Sequence, residues 1–293
     1  MAHTHNTRGA WAMVLAVAAL SLMDAGLKTL APYYSPLQVT AMRSISTLPL
    51  TLLWIVASAH GLRRLFTVRF PLHLLRAAIG IFMLSTFTYG VRHLPLSEAY
   101  TIFFVAPLLI TALAAPMLHE RVGAPRWAAI VIGFAGVLVV LRPSGAGMLS
   151  TPGLAVLGTA VGYAFSAILV RILGRTDSTQ SMVFWLMVLI SIGAGALALP
   201  TWRPIQSPHW IVIAGIAVTG SVGQWAITEA FKHAEASLIA PLEYTALAWG
   251  VALDWIFWHT LPGARTFLGA AVIIASGIYL IRREKVHAEA EHP

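Results

Sequence analysis

Ten runs of mostly apolar residues, separated by short breaks, leave this chain few folds to choose from. They fall at about 9–31, 37–59, 72–91, 97–118, 125–141, 153–173, 180–199, 209–231, 237–258 and 265–281. A helix needs about 20 such residues to cross the hydrocarbon core of a bilayer. In lipid every backbone polar group must be satisfied within the protein, which leaves helices and closed barrels. Runs of this length predict helices. The breaks carry Pro, Gly and charge, as at Arg63-Arg64, Leu94-Pro95, Glu120-Arg121, Arg142-Pro143-Ser144-Gly145 and Leu261-Pro262-Gly263. The expected fold is an all-α integral membrane protein with ten transmembrane helices. The first run, after Arg8, is too long for a signal-peptide core of roughly 7–15 residues, so it reads as a helix that stays.

The composition agrees. Only 10% of the 293 residues are charged and 58% are hydrophobic. Soluble domains carry about 25% charge, so this surface belongs in lipid. The net charge of +8 does not point to nucleic acid, because the basic residues sit between apolar runs and form no long patch. It records orientation instead. With the N-terminus inside, thirteen of the 19 Lys and Arg fall on the cytoplasmic side, five fall outside, and Arg43 lies within a span. The expectation is a multi-pass protein of the cell inner membrane with both termini cytoplasmic. The chain has no cysteine, which excludes disulfides, zinc-thiolate sites and cysteine nucleophiles. His93, His119, His233 and His259 lie at run ends, too scattered for a metal site. There is no P-loop, so ATP is not the direct energy source. Neither a metal nor a cofactor is expected.

The chain also repeats itself. A shift of about 140 residues lays Thr88 on Thr228, Arg92 on Lys232, His93 on His233, Ser97 on Ser237, His119 on His259, and Gly123-Ala124 on Gly263-Ala264. Apolar sequence matches Ala and Leu by chance, but seldom His and Ser together. This divides the chain into residues 9–142 and 153–282, followed by a cytoplasmic tail at 283–293. Each half has an odd number of helices, so the second must insert upside down. Inverted repeats are the architecture of many secondary transporters, with the substrate site near the midplane between the halves. A small-molecule substrate and alternating access follow as expectations. A duplicated chain of this kind can work as a monomer. An intramembrane enzyme would need a nucleophile–base pair or a metal cluster, and neither is visible. A receptor or scaffold would need more soluble surface than these short loops supply.

Further residues carry a resemblance. They are Arg8-Gly9, Asp24 with Lys28, Arg43, His93-Leu94-Pro95-Leu96-Ser97-Glu98-Ala99, Pro116-Met117-Leu118-His119-Glu120-Arg121 into Gly123, and Gly133 and Gly136 to Arg142-Pro143. The second half has Ala234-Glu235-Ala236-Ser237, Ala240-Pro241 and Gly277. In these the chain resembles the drug/metabolite transporter superfamily, in particular its EamA family of ten-helix proteins. It departs at Thr260, opposite Glu120, where the family commonly has Glu. The resemblance implies export or import of amino acids, other metabolites or drugs. The opening segment and residues 171–180 are similar to members that carry S-adenosylmethionine or riboflavin.

Charge within the bilayer is costly and tends to face a cavity or a partner. Asp24 and Lys28 are four apart and can pair on one helix face; Asp24 is the substrate-facing candidate and Lys28 the structural one. Arg43 is expected to be a structural anchor, bound to backbone carbonyls or to Asp24. Ser221, Trp225, Thr228, Glu229 and Lys232 share one helix face, and Phe82, Ser85, Tyr89 and Arg92 share another. Repeat symmetry is expected to bring these stripes together, with Ser85, Tyr89, Trp225, Thr228 and Glu229 lining a cavity. Glu243 and Asp254 are eleven apart on one face with Leu247 and Gly250 between them. Glu243 is the first candidate for a coupling or substrate-amine carboxylate, with Glu229 beside it in proton coupling. Asp254, flanked by Trp255 and Trp258, reads as interfacial. Glu98 favours a helix N-terminus. Tyr100, Tyr163 and Tyr244 are further cavity candidates. Gly220-Ser221-Val222-Gly223 is a packing motif.

Overall fold

The computed structural model of the protein describes residues 2–57, 69–118, 124–141, 150–174, 176–233 and 240–291. Its regular elements there are helical throughout. The helices are α1 (Ala2–Leu30), α2 (Pro36–Ala57), α3 (Phe70–His93), α4 (Leu96–Phe103), α5 (Ala106–Leu118), α6 (Ala124–Leu141), α7 (Thr151–Leu173), α8 (Thr179–Ala198), α9 (His209–His233), α10 (Ala246–Trp258) and α11 (Ala264–Glu291). Short 3-10 segments occupy Leu199–Thr201 and Ala240–Thr245. Seven segments are long and apolar enough to cross a membrane, and Trp127–Val139 and Ala264–Tyr279 are shorter apolar helices. Large apolar side chains face outward, among them Trp11, Leu53, Val131, Leu199 and Ile211. That pattern suits a lipid solvent and would be a liability in water.

The run at 97–118 is not one continuous helix. It breaks at Phe104-Val105 into α4 and α5. Pro107 has no N–H to donate, and its ring clashes with the carbonyl four residues back, at Phe103. The run at 237–258 is likewise not uniform over its described part. Ala240–Thr245, containing Pro241, is a 3-10 segment, and the α-helix starts only at Ala246. The two irregular stretches meet, with Phe104 edge-on to Tyr244 at 5.0 Å between ring centres. Irregular backbone at membrane depth is tolerated where protein or a cavity satisfies it.

Helix pairing crosses between the halves. α1 packs along α9, α3 along α7, α2 along α8, α6 along α11, and α4 against α10. Exchanging the first five spans for the last five maps this set of pairings onto itself. Small residues permit the close crossings. At Gly136, a Cβ would meet Ile273 at 2.9 Å and the Gly269 carbonyl at 3.2 Å, so only glycine lets α6 lie this close to α11. The largest apolar core surrounds α4 and α5, where Leu96, Tyr100, Ile102, Val105 and Leu108 pack with Val91, Val156, Leu253 and Ile273.

Candidate substrate site

Helix α4 begins after Pro95, whose side chain cannot cap its first amides. Asp254 of α10 does so instead. Its Oδ1 accepts from the Leu96 amide at 2.9 Å, and its Oδ2 accepts from the Ser97 amide at 2.9 Å and the Ser97 hydroxyl at 2.8 Å. Lys28 Nζ donates to Oδ1 at 2.8 Å and lies 4.3 Å from the centre of the Trp258 ring. One sequence expectation changes here. Asp254 is wholly buried within the protein. Lys28 pairs with Asp254 and not with its helix neighbour Asp24. The reason is desolvation: a buried carboxylate with four donors offers far more than an i,i+4 pair, which contributes only about 0.2–0.5 kcal/mol.

Asp24 is released for another partner. Its Oδ2 accepts from the Tyr100 hydroxyl at 3.0 Å. Tyr100 is buried, and its ring lies against Gly250, where a Cβ would meet it at 2.8 Å. Gly250 thus makes room for the ring that links α4 to α1. Arg43 of α2 binds neither a backbone carbonyl nor Asp24 among the described residues. Its Nε donates to Met23 Sδ at 3.4 Å.

The broken spans carry the other candidates. Glu243 is half-buried in the 3-10 segment, and its charge reaches Tyr163 of α7 as well as neighbouring Tyr244. Tyr163 is edge-on to Phe103, the last residue of α4, at 5.2 Å. Tyr244 is buried and seats its hydroxyl against Gly277. Asp24, Tyr100, Phe103, Tyr163, Glu243 and Tyr244 therefore gather along α4 and the interruption beside it.

Among the described residues, the helices that carry the two stripes each pack chiefly on other helices. α3 packs on α7, α8 and α2, whereas α9 packs on α1 and α2. Ser85 faces Thr40 at 3.3 Å, and the Tyr89 ring lies tilted against His93 at 4.8 Å between centres. Trp225 and Ser221 line a cleft of about 110 Å³ with Leu50, Thr51, Trp54, Val183 and Gln224, between α2, α8 and α9. The side chains of Thr228 and Glu229 lie outside the described residues. Glu98 stands in the first turn of α4, where Thr266 donates to its Oε1 at 3.3 Å.

Polar contacts unforeseen in the sequence tie the two ends. At the end shared with Asp254, Tyr34 bonds His209 at 2.7 Å, and the Gln38 side chain bonds the Arg203 backbone through both its amide atoms, at 2.7 and 3.0 Å. At the opposite end His73 bonds Asp177 at 2.8 Å, both side chains buried, while the Arg69 amide and the Thr176 hydroxyl also donate to Asp177. Burial pushes the Asp177 carboxyl up, but these hydrogen bonds win and hold it below the usual carboxylate range. The available signal was an Asp in an otherwise short break; its partner, 104 residues away, leaves no local trace.

The EamA-like transporter family matches residues 7–142 and 151–283. The chain is 30% identical to a riboflavin transporter of Vibrio cholerae, over 79% of this chain and 78% of that one. It is 26% identical to the pseudopaline exporter of Pseudomonas aeruginosa, over 93% and 95%. It is 27% identical to an S-adenosylmethionine uptake transporter of Rickettsia conorii, over 80% and 79%. A solved crystal structure superimposes on 96% of this chain and 98% of its own with a TM-score of 0.63, at 17% identity.

Proposed function

This chain belongs to the EamA-like transporter family and is a multi-pass small-metabolite transporter, and from that premise we propose that it moves its solute across the inner membrane by alternating access around a site beside the broken spans. The observation that carries the reading is the meeting of the two interruptions, with Asp24 and Tyr100 on one side and Tyr163 and Glu243 on the other. Discontinuous helices at a repeat interface supply charged side chains and free backbone groups at membrane depth. The halves, residues 9–142 and 153–282, act as inverted repeats, a reading supported by the pairings that exchange of the halves preserves. They rock about α4 and the segment Ala240–Thr245.

Asp24, Tyr163, Glu243 and Tyr244 form the core of the site. Ser85, Tyr89, Trp225, Thr228 and Glu229 lie further along the path. Lys28 is structural, through its bond to Asp254. Glu243 couples transport to protons, with Glu229 as second carrier. The solute is a small metabolite such as riboflavin, S-adenosylmethionine, a pseudopaline-like compound, or an amino acid. Both termini face the cytoplasm, the protein works as a monomer, and it is a carrier and not an enzyme.

The test is counterflow in proteoliposomes. Labelled riboflavin, S-adenosylmethionine and amino acids are offered to vesicles preloaded with the same unlabelled solute. At least one should accumulate transiently above protein-free vesicles, and Glu243→Gln should lose the dependence on a pH gradient. Full pH dependence in Glu243→Gln removes that residue from coupling. No counterflow of any solute sinks the transporter site as drawn.

A further inference from the structure

Two opposite charges inside the bilayer should collapse into contact, because an isolated ion there is costly. Asp24 and Arg43 lie deep in α1 and α2 and act on each other electrostatically. Yet no ion pair joins them among the described residues. Each is held apart by a neighbour. The Tyr100 hydroxyl holds Asp24 Oδ2. Met23 Sδ takes Arg43 Nε, and the lack of a side chain at Gly220 leaves Met23 room, since a Cβ there would stand 3.0 Å from its sulfur.

The bonding is incomplete on both sides. A guanidinium carries five N–H donors, and a thioether is a weak acceptor. The remaining donors of Arg43 have no acceptor among the described residues. Among the described residues no donor reaches Asp24 Oδ1, which is left for a further one. An arginine serving only as an anchor would spend its donors on carbonyls, and this one does not.

We propose that Arg43 and Asp24 form a zwitterion subsite, which takes the carboxylate and the ammonium of an α-amino-acid moiety. Arg43 receives the carboxylate through its planar donor fork. Asp24 Oδ1 receives the ammonium. Such a group carries no net charge into the membrane, and it completes both half-bonded ions at once. The remainder of the solute then extends toward Tyr163 and Phe103. This rests on the transporter reading above and narrows its substrate class: riboflavin has no such group.

The test uses the full chain in detergent and calorimetric titration with S-adenosylmethionine and the twenty common L-amino acids, each acid paired with its carboxamide. The tightest-binding acid should exceed its carboxamide by roughly 10–100-fold, the worth of a charge-assisted hydrogen bond. Arg43→Gln should bring that ratio near one, and Arg43→Lys should restore part of it. A fold defect would weaken acid and amide alike, so the ratio isolates recognition. Asp24→Asn gives an independent arm: the preference for the free amine over its N-acetyl form should fall by a similar factor. Acid and amide binding the wild type within twofold, a ratio unchanged in Arg43→Gln, or no binding by any zwitterion overturns the subsite. Riboflavin counterflow run in parallel separates the two failures. If riboflavin moves and no zwitterion binds, the subsite alone falls; if nothing moves, the transporter site falls with it.

Discussion

Replacing Asp254 by Asn tests the packing of α4 against α10 most severely. The carboxylate takes four hydrogen bonds at 2.8–2.9 Å, two on each oxygen, and its side chain is wholly buried. Asparagine keeps the shape but turns one oxygen into a donor. If the amide nitrogen replaces Oδ1, it faces Lys28 Nζ and the Leu96 amide. If it replaces Oδ2, it faces both donors of Ser97. The first orientation leaves two donors without an acceptor; the second strands the Ser97 amide alone, because the Ser97 hydroxyl can turn and accept from the new nitrogen, at roughly 1–3 kcal/mol for each stranded donor. Lys28, 11% exposed, also loses its counter-charge. Breaking one side of a buried ion pair costs about 3–5 kcal/mol, and the loss of that counter-charge sets the expected cost. At roughly 2 °C per kcal/mol for a chain of this size, the thermal midpoint should fall by about 6–10 °C. Intrinsic tryptophan fluorescence in detergent reads it. Lys28→Met should recover part of the loss when combined with Asp254→Asn, because it removes the stranded cation. A fall of under 2 °C, or strictly additive single and double variants, would refute the assigned bonding.

Three further outcomes follow from the same structure. The folded state holds Asp177 ionised below its ordinary range near 3.8, so its stabilisation is fully present above about pH 4 and is lost as pH falls through the lower folded value. The gap in thermal midpoint between wild type and Asp177→Asn should therefore stay constant from pH 7 to about pH 5 and close below pH 4; a gap that widens on acidification contradicts the assignment. His259 ends α10 in the left-handed region at φ 51°, so His259→Gly should raise stability by about 1 kcal/mol in chemical unfolding, and a loss would contradict that geometry. Gly250→Val should displace the Tyr100 ring, break its bond to Asp24 and lower solute binding together with stability, by roughly 1–3 kcal/mol of the latter; wild-type values for both would mean that the ring does not rest there.

Much of the architecture was legible because membrane helices announce themselves through length and apolarity. All ten runs coincide with helical segments over their described parts, and Glu98 does begin a helix. The breaks were harder to read. Pro107 and Pro241 stand at both interruptions, but apolar residues continue through them, so hydropathy carries no mark of the break. Pairing was harder still. Asp24 and Lys28 look like partners by spacing, and only the return of α10 to the start of α4, 157 residues or more along the chain, gives Asp254 its four donors. The His73–Asp177 and Tyr34–His209 contacts are equally non-local. Repeat symmetry suggested the stripes on α3 and α9 would meet. Instead each is claimed by other helices, because α1 packs its small residues along α9, and α7 does the same for α3.

If one site beside the broken spans opens in turn to both faces of the membrane, as proposed, a thiol placed there is reachable from either face. The chain has no cysteine, so a single Tyr163→Cys substitution gives an unambiguous reporter there. A membrane-impermeant thiol reagent is applied to oriented vesicles from one face and then, separately, from the other. The introduced thiol should react from both faces, and a transported solute should slow both reactions. Reaction from one face only, or equal reaction with and without solute, would contradict the account.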